Sequence, residues 1–248
     1  MKNLLKELGI KIVILSRSRY DTITTHKVLP EWVEVLVPES QKSLYESKIS
    51  NPIITTPDDV KGLGVLRNWC LDNFEEETII MLDDDITSVY GLTQHKSKRQ
   101  KPDVVVEILV NTAIMSKDAG CCVFGFNQTD IRKYNGTSPF SLCTWVGGVI
   151  GVIGKSIRFR NDKFKVDIDF CLQNLLINRI VWCDNRYFFW QRRDNNVGGN
   201  SDFRTNDNYR KSTETLKEKW GKYVKIKHKN GSQMQIHLNV PRKQNIKI

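Results

Sequence analysis

Residues 78–85 read Thr-Ile-Ile-Met-Leu-Asp-Asp-Asp, an apolar run closed by three consecutive aspartates. The run has the length and β-branched content of a strand buried on both faces, because no polar residue alternates with the apolar ones. Strands of that kind belong to parallel sheets covered by helices on either side. Three like charges at its end repel, and they raise at least one carboxyl pKa unless a cation offsets them. One short stretch therefore points to a covered sheet with an acidic edge that attracts a metal ion.

The neighbouring sequence extends the pattern. Lys11–Ser16 (KIVILS) and Trp32–Ser40 (WVEVLVPES) read as strands, the second ending at Pro38, where a ladder fails. Between them DTITTHKVLP is expected to form a short helix stopped by Pro30, and Ser40 to cap a helix over QKSLYESKI. KGLGVLRNWCLDNF places Leu66, Cys70 and Phe74 on one helical face, with Val65 and Trp69 beside them. A basic loop, HKSKRQK (His95–Lys101), follows the aspartates. A helix capped by Asp103 then runs to Gly120 and leads into a strand at CCVFGFN.

Farther on, TWVGGVIGVIG reads as a strand whose glycines admit a ligand or another backbone. VDIDFCLQNLLINR is an amphipathic helix with Ile168, Leu172, Leu175 and Leu176 inward, and IVWCDNRYFFW is strand-like. Arg192–Asn208 is a long Gly- and Asn-rich loop, a candidate lid. Strands and helices in this alternation predict an α/β fold, a mixed, mostly parallel sheet flanked by helices. Ligands of such sheets bind beyond the carboxyl ends of the strands, where Asp83, Asp84 and Asp85 stand.

Composition narrows the partners. The 248 residues are 40% hydrophobic, enough for one large core, and carry a net charge of +10. Much of that charge clusters in HKSKRQK and in the tail from Lys211 onward, which points to a polyanion such as nucleic acid. Six cysteines lack any Cys-x-x-Cys spacing and several sit in apolar segments, so they read as reduced core residues in a cytoplasmic setting. Lysines interrupt every apolar stretch of the first sixteen residues, and WVGGVIGVIG is too short to span a bilayer, so neither an export signal nor stable membrane association is expected.

The acidic run supplies hard oxygen ligands on a short turn, suited to Mn2+ or Mg2+ with open positions for phosphate oxygens. Its bland alternative is an Asp-rich turn capping the next element. Arg17 and Arg19 after the first strand, and Arg67 and Asn68 on the helix before the acidic strand, can face the same sheet edge and bind phosphate. Singly, each is as readily a surface ion pair.

Taken in order, SRSR after the first strand, VPES after the second, GLGVLRNWCLDN, IIMLDDDI, the Gly-rich middle strand and VDIDFCLQ resemble a GT-A glycosyltransferase over most of residues 11–205. RNWCLDN, MLDDDI, DIDFCLQNL and the late KWG more narrowly resemble the phage TET-associated glycosyltransferases. The resemblance implies transfer of a sugar from a nucleotide sugar, most commonly a uridine diphosphate sugar, to hydroxymethylated pyrimidines in DNA. It makes residues 1–205 the catalytic domain and 206–248 a basic extension packed on it.

Carried onto this chain, the resemblance makes Asp83 and Asp85 the metal ligands, with Asp83 also contacting ribose and Asp84 between them. Ser16, Arg17, Arg19, Pro38 and Glu39 would surround the nucleoside. Arg67 and Asn68 would approach the sugar nucleotide, and Gly147 and Gly148 would let the chain pass close to the donor sugar, with Trp145 available for stacking. Asp167 would be the general base. Where the family motif usually reads Glu-Asp this chain has Val166-Asp167, and Asp169 is a partial substitute for the missing carboxylate. Either aspartate at a helix start can instead serve only as a cap. His228 and His237 are left outside the site. A glycan or protein acceptor, or a silent nucleic-acid-binding protein on the same scaffold, are the competing readings.

Overall fold

The computed structural model describes residues 1–93, 96–127, 138–160, 165–192, 206–228 and 234–241. The first part of the chain lays down α1 (Lys2–Glu7), β1 (Ile10–Leu15), β2 (Glu34–Pro38), α2 (Lys42–Glu46), β3 (Ile53–Thr56), α3 (Leu63–Asn73) and β4 (Thr78–Asp83). Next come β5 (Ile86–Thr93), β6 (Lys96–Arg99), α4 (Pro102–Asp118), β7 (Val123–Asn127), β8 (Phe140–Ser141) and β9 (Val149–Ile153). α5 (Val166–Ile177), β10 (Trp182–Gln191), α6 (Asn206–Trp220), β11 (Val224–His228) and β12 (Met234–Leu238) complete it.

Ten strands form one mixed sheet in the order β3-β2-β1-β4-β9-β7-β10-β5-β6, with β8 pairing β10. β3, β2, β1 and β4 are mutually parallel, and β7 is parallel to β10. β9 runs against both of its neighbours, β4 and β7. The carboxyl ends of β1 and β4 meet at one edge, where Leu15 is opposite Asp83.

Alternation along each buried strand sorts its side chains into two cores. Ile12, Ile14, Ile80 and Leu82 face α1, α2 and α4, whereas Val13, Leu15, Ile79 and Met81 face α3 and α5. Each such fully buried aliphatic side chain stabilises the fold by about 1.5–3 kcal/mol. The second core also takes in Leu216 of α6, Val224 of β11 and Val240, so the basic tail packs against α5 through an apolar inner surface. All six cysteines are free, and burial pushes the thiols of Cys70 and Cys171 up to about 12, which makes them apolar filler.

Several local expectations need correction. The basic loop is a hairpin: β5 and β6 pair antiparallel at the sheet edge, because Ile86 and Val89 bury against the first core. Residues 21–30 form only a single 3-10 turn at Thr25–Lys27, as their β-branched run disfavours an α-helix. Ser40 caps no helix and instead hydrogen-bonds Asp58. α4 is capped at Lys101 with Pro102 in its first turn, and Asp103 lies inside the helix. In α3 Cys70 is buried, and Leu66, Trp69 and Phe74 pack against the second core as expected; Gly64, Arg67 and Leu71 are buried beside them, and Val65 is half-buried. α5 is buried nearly all round, so its amphipathic reading understated its depth.

Candidate active site

The turn after β4 is braced from below. Asp83 N–H donates to the Gly148 carbonyl at 2.8 Å, and Thr24 and Thr25 N–H donate to the Asp84 carbonyl at 2.9 and 3.2 Å. The Thr25 hydroxyl donates to the Asp83 carbonyl at 2.6 Å and accepts from Ile86 N–H at 2.9 Å. The backbone leaves β4 at Asp83 and turns over Asp84 and Asp85, with Asp84 buried and Asp83 and Asp85 half-buried.

Asp84 is committed to the interior. It accepts from the Ser16 hydroxyl at 2.6 Å and from Arg19 Nη1 at 2.6 Å, and the Tyr45 hydroxyl lies 2.7 Å from Ser16 Oγ. Burial raises the Asp84 pKa, and Arg19 and Ser16 work against that shift. Burial likewise opposes the charge on Arg19, but Asp84, Asp85 and Asp83 together hold its pKa above the ordinary value. Ser16 and Arg19 line the cleft as expected, yet their polar ends bind Asp84. These bonds tie the cleft wall to Asp84, which lines the cleft itself although only 5% exposed.

Asp83 and Asp85 differ. Gln191 Nε2 donates to Asp83 Oδ2 at 3.2 Å and to Asp85 Oδ1 at 3.2 Å, so an oxygen of each carboxylate converges on one point. Asp83 lies deep in the floor, although 31% of its side chain remains accessible from the cleft. Burial first, and then Asp85, Asp167 and Asp84, push it up to about 7 against the pull of Arg67. Arg67 has no exposed surface; Nη2 is 3.4 Å from Asp83 Oδ1, and Nη1 pairs with Asp167 Oδ1. The expectation that Arg67 meets the sugar nucleotide is therefore corrected: it is an internal counter-ion linking two carboxylates. Asn68 is also structural, exchanging hydrogen bonds with the backbone N–H and carbonyl of Phe159 at 2.9 and 2.7 Å.

The two aspartates of α5 part company. Asp167 keeps 25% of its side chain accessible beside Arg67. Asp169 is buried, accepting from Trp220 Nε1 at 2.9 Å and Gln173 Nε2 at 2.9 Å, with Lys219 Nζ at 2.8 Å. Asp169 is thus no catalytic substitute for a missing glutamate; it anchors the Lys-Trp-Gly end of α6. Neither residue caps α5, whose N-cap is Lys165 in a left-handed conformation that makes no side-chain capping bond.

Among the remaining expected contacts, Arg17 walls the cleft and donates to the Val60 carbonyl at 2.9 Å. Pro38 closes β2 opposite Thr56, and Glu39 is exposed at the turn that follows. Gly147 is buried, and Gly148 has φ +72°, with a Cβ there falling 2.4 Å from Gln191 Nε2. The glycine serves the Gln191 side chain. Gly151 likewise yields to the Phe124 ring rather than to a ligand. Trp145 is half-buried against the second core. Gly198–Asn200, Arg193 and Arg204 of the expected lid lie outside the described residues.

Sequence reasoning missed Thr25, Tyr45 and Gln191. A lone glutamine after an aromatic run carries no signal of its own. Among the described residues no three His, Cys, Asp or Glu side chains gather into a metal cluster. The donor set nevertheless fits Mn2+ or Mg2+: two crowded hard carboxylates sharing one point, in an open cleft with room for phosphate oxygens and water.

The model of the TET-associated glycosyltransferase family matches residues 10–200. The chain belongs to that family. It is a glycosyltransferase, and the matched residues run from β1 through β10 and past Gln191. Its fold is that of GT-A glycosyltransferases. Glucosyl-3-phosphoglycerate synthase from Mycobacterium tuberculosis, in complex with Mn2+, uridine diphosphate and phosphoglyceric acid, superposes with a TM-score of 0.55 at 13% identity, over 96% of this chain and 89% of that one. The same enzyme with Mn2+, uridine-diphosphate-glucose and phosphoglyceric acid gives 0.55 at 11% identity, over 95% and 89%. A structure described as a mycobacterial protein gives 0.54 at 11%, over 96% and 85%. No curated protein matches the chain. Among the described residues no helix is long and apolar enough to cross a membrane.

Proposed function

We propose that this glycosyltransferase moves a sugar from a uridine diphosphate sugar to the hydroxymethyl group of a 5-hydroxymethylpyrimidine, such as 5-hydroxymethylcytosine, in bacteriophage DNA. The carrying observation is the convergence of Asp83 and Asp85 at the floor of an open cleft beyond the ends of β1 and β4. The structural relatives bound to Mn2+ with uridine diphosphate, or with its glucose ester, support the choice of donor and metal.

Asp83 and Asp85 would hold the cation. When bound, it supplies Lewis-acid charge that stabilises a departing diphosphate. Arg17 and the segment from Val60 to Leu66 wall the space where the nucleotide would lie. Asp167 is the base: Arg67 holds Oδ1, leaving Oδ2 to take the proton of the acceptor hydroxyl. As that oxygen attacks the anomeric carbon, the bond from this carbon to the diphosphate oxygen breaks, and the diphosphate leaves with the electron pair.

A DNA acceptor would be held through its phosphates and would present one base to the donor, by flipping if the duplex is intact. Lys98 and Arg99 on β6, Arg210 and Lys211 on α6, and Lys225 and Lys227 on β11 are all exposed, which suits the first task. Trp190, 49% exposed and adjacent to Gln191, suits the second.

The test is to incubate the protein and MnCl2 with a panel of nucleotide sugars and hydroxymethylated or plain DNA, then digest and weigh the nucleosides. The expected result is a hydroxymethylpyrimidine nucleoside heavier by one sugar, in modified DNA alone. Unaltered nucleosides across the panel, together with Mn2+-dependent hydrolysis of a donor, would reject DNA as the acceptor.

A further inference from the structure

Gln191 closes β10 where its pairing with β5 shifts: Trp190 pairs with Ser88 and Gln191 with Ile86, so the extra residue, Thr87, lies on β5. A bulge of this kind disrupts the ladder at the rim of a sheet. The Gln191 amide crosses to the acidic turn, where Nε2 lies 3.2 Å from Asp83 Oδ2 and 3.2 Å from Asp85 Oδ1. Two contacts keep it in place. Gly148 packs so closely on the amide that any side chain there would collide with it, since a Cβ would stand 2.4–2.5 Å from its three terminal atoms. Arg192 N–H donates to the Asp85 carbonyl at 3.0 Å, so the residue after Gln191 is tied to the same turn.

The spacing has chemical meaning. Ligands on adjacent corners of an octahedron whose metal–oxygen bonds are about 2.0–2.1 Å stand about 2.8–3.0 Å apart. The amide terminus stands close to that distance from one oxygen of each carboxylate. An amide carries a donor NH2 at one end and an acceptor oxygen at the other, with nearly the same shape. Half a turn about the last side-chain bond therefore sets Oε1 where Nε2 lies. A positive charge between the two carboxylates favours that turn, because it attracts the oxygen end and repels the NH2 end.

Resting on the metal-dependent reading above, we infer that Gln191 is the third protein ligand of the divalent cation, through Oε1. Asp83, Asp85 and Gln191 then offer three hard oxygens, two charged and one neutral, and the remaining positions fall to diphosphate and water.

Mn2+ binding to the full chain, followed by calorimetry or by loss of the free-ion paramagnetic resonance signal, tests this without turnover. Gln191→Ala is expected to weaken Mn2+ binding at least tenfold, Gln191→Glu to retain or tighten it, and Asp85→Asn to abolish it. Thermal unfolding of each variant in chelator checks that the fold is kept. Wild-type affinity in Gln191→Ala, with binding lost in Asp85→Asn, overturns the Gln191 assignment and leaves the metal reading standing. Wild-type affinity in Asp85→Asn, or no Mn2+ binding by the wild type, overturns both.

Discussion

Arg67 meets Asp83 beneath the cleft floor, Nη2 lying 3.4 Å from Oδ1, while its other terminal nitrogen pairs with Asp167. A single buried guanidinium thus ties the turn after β4 to the first turn of α5. Burial opposes its charge, but Asp167 and Asp83 more than offset that and raise its pKa. It also lies 5.3 Å from the centre of the Phe159 ring, whose face favours a cation.

Removing that guanidinium leaves two carboxylates close together without the charge that links them. Arg67→Met is expected to cost about 3–5 kcal/mol in denaturant unfolding, the range for breaking a buried pair. Because a cation can take over part of the neutralisation, added MnCl2 should stabilise the variant more than it does the wild type. An unchanged unfolding midpoint would show that the pair carries no stability.

Asp167 and Asp169 should separate cleanly. Asp167→Asn is expected to abolish sugar transfer while nucleotide binding persists. Asp169→Asn should cost about 1–3 kcal/mol by weakening its bonds to Trp220, Lys219 and Gln173, yet leave transfer measurable in the molecules that stay folded. Calorimetric nucleotide titration beside an unfolding curve distinguishes the two, and exchanged phenotypes would reverse the assignment.

This contrast also shows what was legible in the sequence. Two residues apart on a helix means about 200° of rotation, so Asp167 and Asp169 cannot share a face. That much was readable beforehand; which of them stays accessible was not, because the answer depends on where α6 docks. The acidic end of β4 was legible because an apolar run needs no partner to identify it as a buried strand. Arg67 was misread since its burial depends on Asp167, a hundred positions away. Local sequence makes an arginine on a helix look solvent-facing. Gln191 was invisible for the same reason, its place set by contacts with a distant acidic turn and a close glycine.

The raised pKa of Asp83 predicts a pH dependence. A carboxyl whose folded-state pKa is about 7, above its unfolded value, binds its proton more tightly in the native state. Its contribution to stability is complete below the unfolded pKa and is lost as pH rises toward 7. Protons and metal compete for the same oxygen. The rise in melting temperature caused by MnCl2 should therefore be larger at pH 7.5 than at pH 5.5, and equal rises would argue that Asp83 is not a ligand.

Gly148→Ala should be costly out of proportion to its size. Its φ of +72° belongs to the left-handed region, where a side chain costs roughly 1–2 kcal/mol, and the new methyl group collides with Gln191. Lower stability together with weaker Mn2+ binding is expected. A fold and affinity like those of the wild type would show that the amide does not need that space.

The most direct measurement is calorimetric titration of uridine diphosphate into wild type and Asp85→Asn, each with MnCl2 and each with chelator. Binding by the wild type in Mn2+ alone, lost in chelator and in the variant, is the predicted result. Equal affinity in chelator, or in Asp85→Asn, would contradict a donor diphosphate held through a cation at the end of β4.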